Sequence, residues 1–285
     1  MNEMLATQTK NTFSGHESFH CRQLWLKKGY EFKKSGKSFT DEDAVVTLGV
    51  GKNMVTAIKF WLKAFDIIDS NEKLTELGDF ILDDSGFDPF LEDDQSLWLL
   101  HYHLIKTRFS SIYSLIFNEF RKEKMQFTKE NFQSYALRRL DNANLKTVGD
   151  DFDVFKKMYL NKSEDKKLTE DSFLGLLSEL QLLRLLEKGT YLIDNAERPS
   201  LTAEVFLYTI FDNFPDSLSI SLHSLENDEN SPGVIFALSR QGILDLIDKS
   251  VEKYPWITYS DQAGVKELQF KKKPTDLFNL FNPQQ

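Results

Sequence analysis

Between residues 40 and 82 the apolar positions change period twice, and the changes mark out helices, a turn and a short hairpin. Thr40 followed by Asp43 has the form of a capping box, with Asp in place of the preferred Glu, and predicts a helix over residues 41–48. Gly49 and Gly51 tolerate a left-handed backbone and predict a turn of about three or four residues, after which a second helix starts near Lys52 or Asn53. In that second helix Val55, Ile58, Leu62 and Phe65 share one side, flanked by Met54 and Trp61. Lys52, Thr56, Lys59 and Lys63 share the other. Residues 65–68 then read as a short strand, 69–72 as a turn, and 74–78 as the return into a helix through Leu82. This is the grammar of a winged helix-turn-helix.

The pattern continues as mostly helical. Helices are predicted over 95–106, over 110–124 with Ile112, Leu115, Ile116 and Phe120 inward, and from Thr128 toward Leu140. Residues 148–160 and a strongly leucine-rich run over 168–186 read as two more helices, and 189–193 as a short strand, loosely repeating the first unit. The last third reads as a helix to about Phe214, a strand over 217–222, a polar loop over 226–232 and a strand over 234–238. Ser239 then caps a helix over 240–254, and a hairpin pairs 256–260 with 265–270. The fold class expected is mainly α with small β-hairpins, an α+β chain of tandem winged-helix-like units joined by a helical region. The segments are 1–82, an arm plus the first unit; 83–145, helical; 146–199, the second unit; and 200–285, a terminal α+β unit.

Composition narrows the class. With 41% apolar and 13% aromatic residues, 285 residues can bury packed cores in two or three domains. No apolar run is long enough to span a bilayer, and the first fifteen residues lack signal-peptide order, so a cytoplasmic protein without a membrane partner is expected. Cys21 is the single cysteine, which excludes an intramolecular disulfide and a thiolate-cluster metal site.

The net charge of −9 opposes indiscriminate coating of nucleic acid, yet it is unevenly spread. Residues 1–65 hold ten Lys or Arg against six Asp or Glu, and the acid excess lies in the remainder. A nucleic-acid contact therefore belongs near the N-terminal end, and the candidate contacts are Lys27, Lys28, Lys52, Asn53, Thr56, Lys59 and Lys63. The competing reading is a solvated helix face or a protein-binding one. Lys33, Lys34 and Lys37 are expected in a mobile loop, and Lys271, Lys272 and Lys273 at a strand end serve equally as phosphate contacts or as a guard against edge pairing.

Several patterns carry possible chemistry. His16 to His20 matches HExxH, but the flanking Ser14-Gly15 suits no helix and no third ligand follows at a familiar spacing, so no zinc site is assigned. The acids over 83–94 lack calcium-loop spacing and suit the N-terminus of the following helix. His101 and His103 are two apart and face different ways on one helix. Glu164-Asp165-Lys166-Lys167 imitates a nuclease core without its flanking strands.

Gly15-His16-Glu17-Ser18-Phe19 with Arg22, Trp25-Leu26-Lys27-Lys28-Gly29, Val50-Gly51-Lys52-Asn53-Met54-Val55 and Ile58-Lys59-Phe60-Trp61-Leu62 resemble the bacterial domain-of-unknown-function family 4007, over nearly the whole chain. The resemblance implies DNA phosphorothioation and phage defence, with a partner sulfur-transfer protein of the phosphoadenylyl-sulfate reductase type and DNA strand nicking proposed for the phosphorothioation member. The family pattern has Gly-His-Glu-Ser/Thr-Phe and then Arg, with nothing fixed where His20 stands, a further argument against zinc. Which residues would cut is not carried over. On chemistry, His16 suits a general acid or base, Glu17 a carboxylate for Mg2+ or Mn2+ or for orienting His16, and Arg22 a phosphate clamp. Equally, the three form a buried network that fixes the arm onto the first unit. No cofactor is established by the residues, and a homo-oligomer is among the expected partners. The runner-up function is a non-catalytic winged-helix adaptor or transcriptional regulator that presents DNA to the sulfur-transfer enzyme.

Overall fold

The computed structural model describes residues 12–160, 175–262 and 264–281. Helix α1 (Gln23–Lys34) buries Trp25, Leu26, Gly29, Tyr30 and Phe32 at helical spacing. Helix α2 (Ala44–Leu48) ends at Gly49, whose φ of 65° lets its N–H return to the Val45 carbonyl at 3.0 Å. Helix α3 (Lys52–Ala64) lies across α1 so closely that a Cβ on Gly29 would sit 2.6 Å from Leu62 Cδ1. The sequence places no helix at α1, which takes in Lys33 and Lys34 as its last turn; those two are not loop residues.

The strand expected over 65–68 does not form. Phe65 caps α3, Asp66 turns at φ 60°, and the N–H groups of Ile67 and Ile68 fold back onto the Leu62 carbonyl, leaving one β-bridge between Ile68 and Leu74. Helix α4 (Glu76–Leu82) follows, with Thr75 accepting from the Gly78 N–H at 3.1 Å as its N-cap.

Helix α5 (Asp94–Lys106) is the axis of the molecule. Residues 96–105 are all buried, as an element packed on every side requires. The acids before it brace the turn: Asp93 caps the helix through the Gln95 N–H, and Asp88 accepts from the Glu92 and Asp93 N–H groups at 3.0 and 2.9 Å. On one side His101 Nδ1 meets Tyr159 Oη at 2.8 Å and Nε2 meets the Ile235 carbonyl at 3.0 Å. On another, His103 lies between Asp66 and Tyr208 at 3.1 and 3.0 Å.

Two three-stranded antiparallel sheets follow, and each is built in the same order. Helix α6 (Ser111–Ser114) continues through a π-helical segment (Leu115–Phe120) into α7 (Arg121–Glu123), covering the single helix expected there. Then come β1 (Gln126–Thr128), α8 (Lys129–Arg139) with a Thr128–Asn131 capping box, α9 (Leu145–Tyr159), β2 (Arg184–Glu187) and β3 (Thr190–Leu192), with β3 in the middle of the sheet. The strand β1 thus ties the 83–145 stretch to the hairpin of the 146–199 stretch.

In the last third α10 (Ala203–Asn213), β4 (Ser219–Ser221), α11 (Leu222–Asn227), a short α12 (Pro232–Ile235), α13 (Arg240–Lys253), β5 (Ile257–Gln262) and β6 (Val265–Phe270) repeat the scheme, with β6 central. The C-terminal residues 277–281 fold back: Phe278 stacks on Phe80 of α4 with ring centroids 4.4 Å apart and also meets Tyr208 of α10.

Two expected elements are replaced. The leucine-rich run over 168–186 is not a helix where it is described. From Gly175 it runs in turns, with one 3-10 turn (Ser178–Leu180) and Gln181 at φ 51°, and then enters β2. Leu176, Leu177, Leu180, Leu182 and Leu183 are buried there, so tertiary burial overrides leucine's helix propensity. Residues 168–174 and the Glu164–Lys167 motif lie outside the described residues. The strand expected over 234–238 is α12, because Pro232 favours the first position of a helix; only Leu238 pairs, in a parallel bridge to Ala196.

Candidate nucleic-acid interface and the buried arm

Helix α3 separates two sets of residues. Its apolar side, with Trp61 and Phe60, receives the segment before α1: Trp61 Nε1 donates to the Phe19 carbonyl at 3.0 Å, and the His16 ring stacks on the indole at 5.8 Å with planes 7° apart. Gly15 is required for this approach, since a Cβ there would stand 2.4 Å from the Phe60 ring. The opposite side of α3 carries Lys52, Asn53 and Thr56, all exposed, and beyond them Lys59 and Lys63, which are half-buried.

The cationic ridge is not uniform. Glu72, held at φ 61° in the loop after α3, pairs with Lys59 and, at 3.6 Å, with Lys63, whose ammonium also donates to the Ser70 carbonyl at 3.4 Å. Burial pushes the Glu72 carboxyl upward, but the two ammonium groups outweigh it and hold the carboxyl below the usual range. Lys59 and Lys63 therefore already have an anion, whereas Lys52 has no acidic partner among the described residues.

Lys27 is a correction. It is only 9% exposed, and its ammonium donates to Glu31, to the Leu82 carbonyl and to Asp84 at 2.8, 2.8 and 2.7 Å. Burial lowers its pKa and these carboxylates more than restore it, so it is a charged internal tie between α1 and the end of α4. It is not available to a phosphate. Its neighbour Lys28 is exposed. The pairing of Lys27 with a residue 57 positions away has no signal in local sequence.

The arm residues do not converge on an open cleft. His16 is 2% exposed; its Nδ1 accepts from the Ser18 N–H at 3.2 Å, so the neutral ring carries its proton on Nε2, which faces Asp151 Oδ1 at 3.3 Å. That contact is electrostatic, without the alignment of a hydrogen bond; the same oxygen accepts from the Ser14 N–H at 3.0 Å, and Asp151 Oδ2 has no hydrogen-bond partner among the described residues. Glu17 is exposed, and it and Ser18 turn at φ 49° and 63°. Arg22 lies with its guanidinium 5.3 Å from the Trp25 ring centroid. Asp151, on α9, was not singled out in the sequence; only the fold brings it to His16 across 135 positions.

A metal finds little here. Among the described residues no group of three His, Cys, Asp or Glu converges, and the carboxylates of Asp83, Asp84, Asp88 and Asp93 are engaged by Lys34, Lys27 and backbone N–H groups. Mg2+ asks for one or two free carboxylates with water completing the shell, and in the arm the exposed Glu17 is a carboxylate of that kind. No helix among the described residues is long and apolar enough to cross a membrane.

No curated protein matches the chain. Two solved structures share its fold, a crystal structure of SspB with a TM-score of 0.82 and a magnesium ion-bound crystal structure of SspB with 0.80; each is 26% identical, over 96% of this chain and 88% of that one. Since the family described as "Protein of unknown function (DUF4007)" matches residues 13–281, the chain belongs to that family.

Proposed function

We propose that this protein is the DNA-binding component of a bacterial DNA phosphorothioation and phage-defence system, working beside a sulfur-transfer protein of the phosphoadenylyl-sulfate reductase type. The system follows from the family resemblance and from the likeness to SspB. The observation that carries DNA contact is the exposed Lys52–Asn53–Thr56 edge of α3, set after the Gly49–Gly51 turn in helix-turn-helix order. Both sheets follow a helix–strand–helices–hairpin order, with two helices between strand and hairpin in the first and three in the second, and with the last strand central, which supports reading them as further winged-helix-like units. In that reading the first unit is the one whose second helix follows a glycine turn with Lys52, Asn53 and Thr56 exposed together. The segment limits at 82, 145 and 199 and a homo-oligomer remain part of the proposal.

The test is a binding titration of a duplex at increasing salt. Lys52→Glu is expected to weaken binding about tenfold at low salt and to reduce the slope of log K against log[salt] by about one to two. Unchanged affinity would remove α3 from the interface. Glu72→Gln acts in the opposite direction: freeing Lys59 and Lys63 is expected to tighten duplex binding by roughly three- to tenfold at low salt and to steepen the salt slope. A weaker-binding Glu72→Gln would show that the carboxylate serves the contact.

A second reading, strand nicking with Mg2+ or Mn2+, is favoured by the magnesium ion bound in one SspB structure and by the exposed Glu17 beside His16. Supercoiled plasmid incubated with either metal separates the two. Open-circle product that disappears in Glu17→Ala supports nicking, and binding without cutting supports a non-catalytic adaptor.

A further inference from the structure

Side chains on α3 are not equivalent once the fold has formed. At its C-terminal half the ammonium groups of Lys59 and Lys63 are turned to Glu72. At its N-terminal half Lys52, Asn53 and Thr56 are exposed and fall within an arc of about 100° of one another. The turn that leads in is open as well: a Cβ built on Gly49 or on Gly51 would meet nothing within 4 Å. Helix α3 thus presents its first turn and a half outward, with a cation, an amide and a hydroxyl, and closes its far end with a carboxylate.

Resting on the DNA-binding reading above, we infer that α3 meets duplex DNA by its N-terminal end, that Asn53 is the base-reading residue, and that the base it reads is adenine in the major groove. The chemistry is the fit between groups. A side-chain amide carries one acceptor and two donors, and adenine offers N7 as acceptor and N6–H2 as donor side by side, so that Asn can bind both at once; no other base edge presents that pair in the major groove. Lys52, one residue before, reaches the flanking phosphate, and Thr56, one turn on, brings a methyl and a hydroxyl to the next base pair, where a thymine methyl would be its apolar neighbour. Glu72 at the other end repels the backbone from Lys59 and Lys63, and so sets which end of the helix enters the groove.

The experiment is selection of a randomised duplex library on the full-length protein, with wild type, Asn53→Ala and Lys52→Met compared in parallel and folding checked by thermal unfolding. Wild type is expected to enrich a short motif containing a fixed A·T pair. Asn53→Ala is expected to lose preference at that pair by on the order of tenfold to a hundredfold. Lys52→Met is expected to weaken all sequences alike. An enriched motif without adenine, a motif that survives Asn53→Ala, or duplex binding with no motif each overturns the inference while leaving DNA binding in place. No duplex binding by wild type at low salt overturns the underlying reading instead. Because Asn53 is exposed, Asn53→Asp serves as a second variant with the same shape: it retains the fold and is expected to lose the adenine preference by losing both donors.

Discussion

Lowering the pH from 7 to 4.5 is expected to remove on the order of 2–3 kcal/mol of folding stability through one side chain, His101. Its ring is fully buried on α5. The Ile235 carbonyl can only accept, so Nε2 carries the proton and Nδ1 accepts from the Tyr159 hydroxyl; the neutral ring is satisfied on both sides, and a second proton on Nδ1 would force that hydroxyl to turn from donor to acceptor. Burial accordingly drives its pKa from 6.5 to about 3, with Arg198 and Arg121 pushing the same way and the Ile235 carbonyl opposing. The sign follows from linkage. Below pH 6.5 the unfolded chain binds a proton that the folded one refuses, so stability is intact above that value and falls by about 1.4 kcal/mol per pH unit as pH drops toward 3. Denaturant unfolding at pH 7, 6, 5 and 4.5 measures it. His101→Gln, whose amide can still donate to Ile235, is expected to be less stable than wild type at pH 7 by about 1–3 kcal/mol and to show a flatter acid limb. Parallel limbs for the two proteins would exclude His101 as the source.

How much of this was legible beforehand depended on how far apart the partners are. The turn between α2 and α3 could be placed from Gly49 and Gly51, the start of α8 from Thr128 and Asn131, the start of α13 from Ser239, and the last hairpin from its alternation, because each signal lies within a few residues of its effect. Where burial chooses the backbone, local pattern misled. Leucines 176 to 183 are apolar on too many sides for periodicity to decide, and they line the core without a helix. Pro232 outweighed the β-branched residues after it. The interface divides in the same way. Exposure of Lys52, Asn53 and Thr56 follows from helical spacing, whereas the loss of Lys27 to Asp84 and of Lys59 to Glu72 required loops whose course only the fold reveals. The π-helical segment after Ser114 likewise lies in a run that periodicity reads as ordinary helix.

The sequence leaves the GHESF motif with two roles, a reacting group or a buried network that fixes the arm, and a double-mutant cycle between His16 and Asp151 measures which it has. Both side chains are nearly sealed, at 2% and 1% exposure, and Asp151 Oδ1 holds the arm twice, through the Ser14 N–H and the His16 ring. Removing the carboxylate takes the acceptor from the Ser14 N–H and the electrostatic partner from the buried imidazole N–H; removing the imidazole leaves the carboxylate with one partner fewer and strips the Trp61 face of its stacking ring. Each of His16→Ala and Asp151→Ala is therefore expected to cost about 2–4 kcal/mol in denaturant unfolding. The double variant should cost little more than the worse single, a coupling of about 1–3 kcal/mol, since the second removal relieves what the first left unpaired. A reacting imidazole behaves differently. It needs a path to substrate and tolerates replacement without loss of fold, so a stable His16→Ala protein with additive energetics and abolished plasmid nicking would transfer the motif from anchoring the arm to cutting DNA.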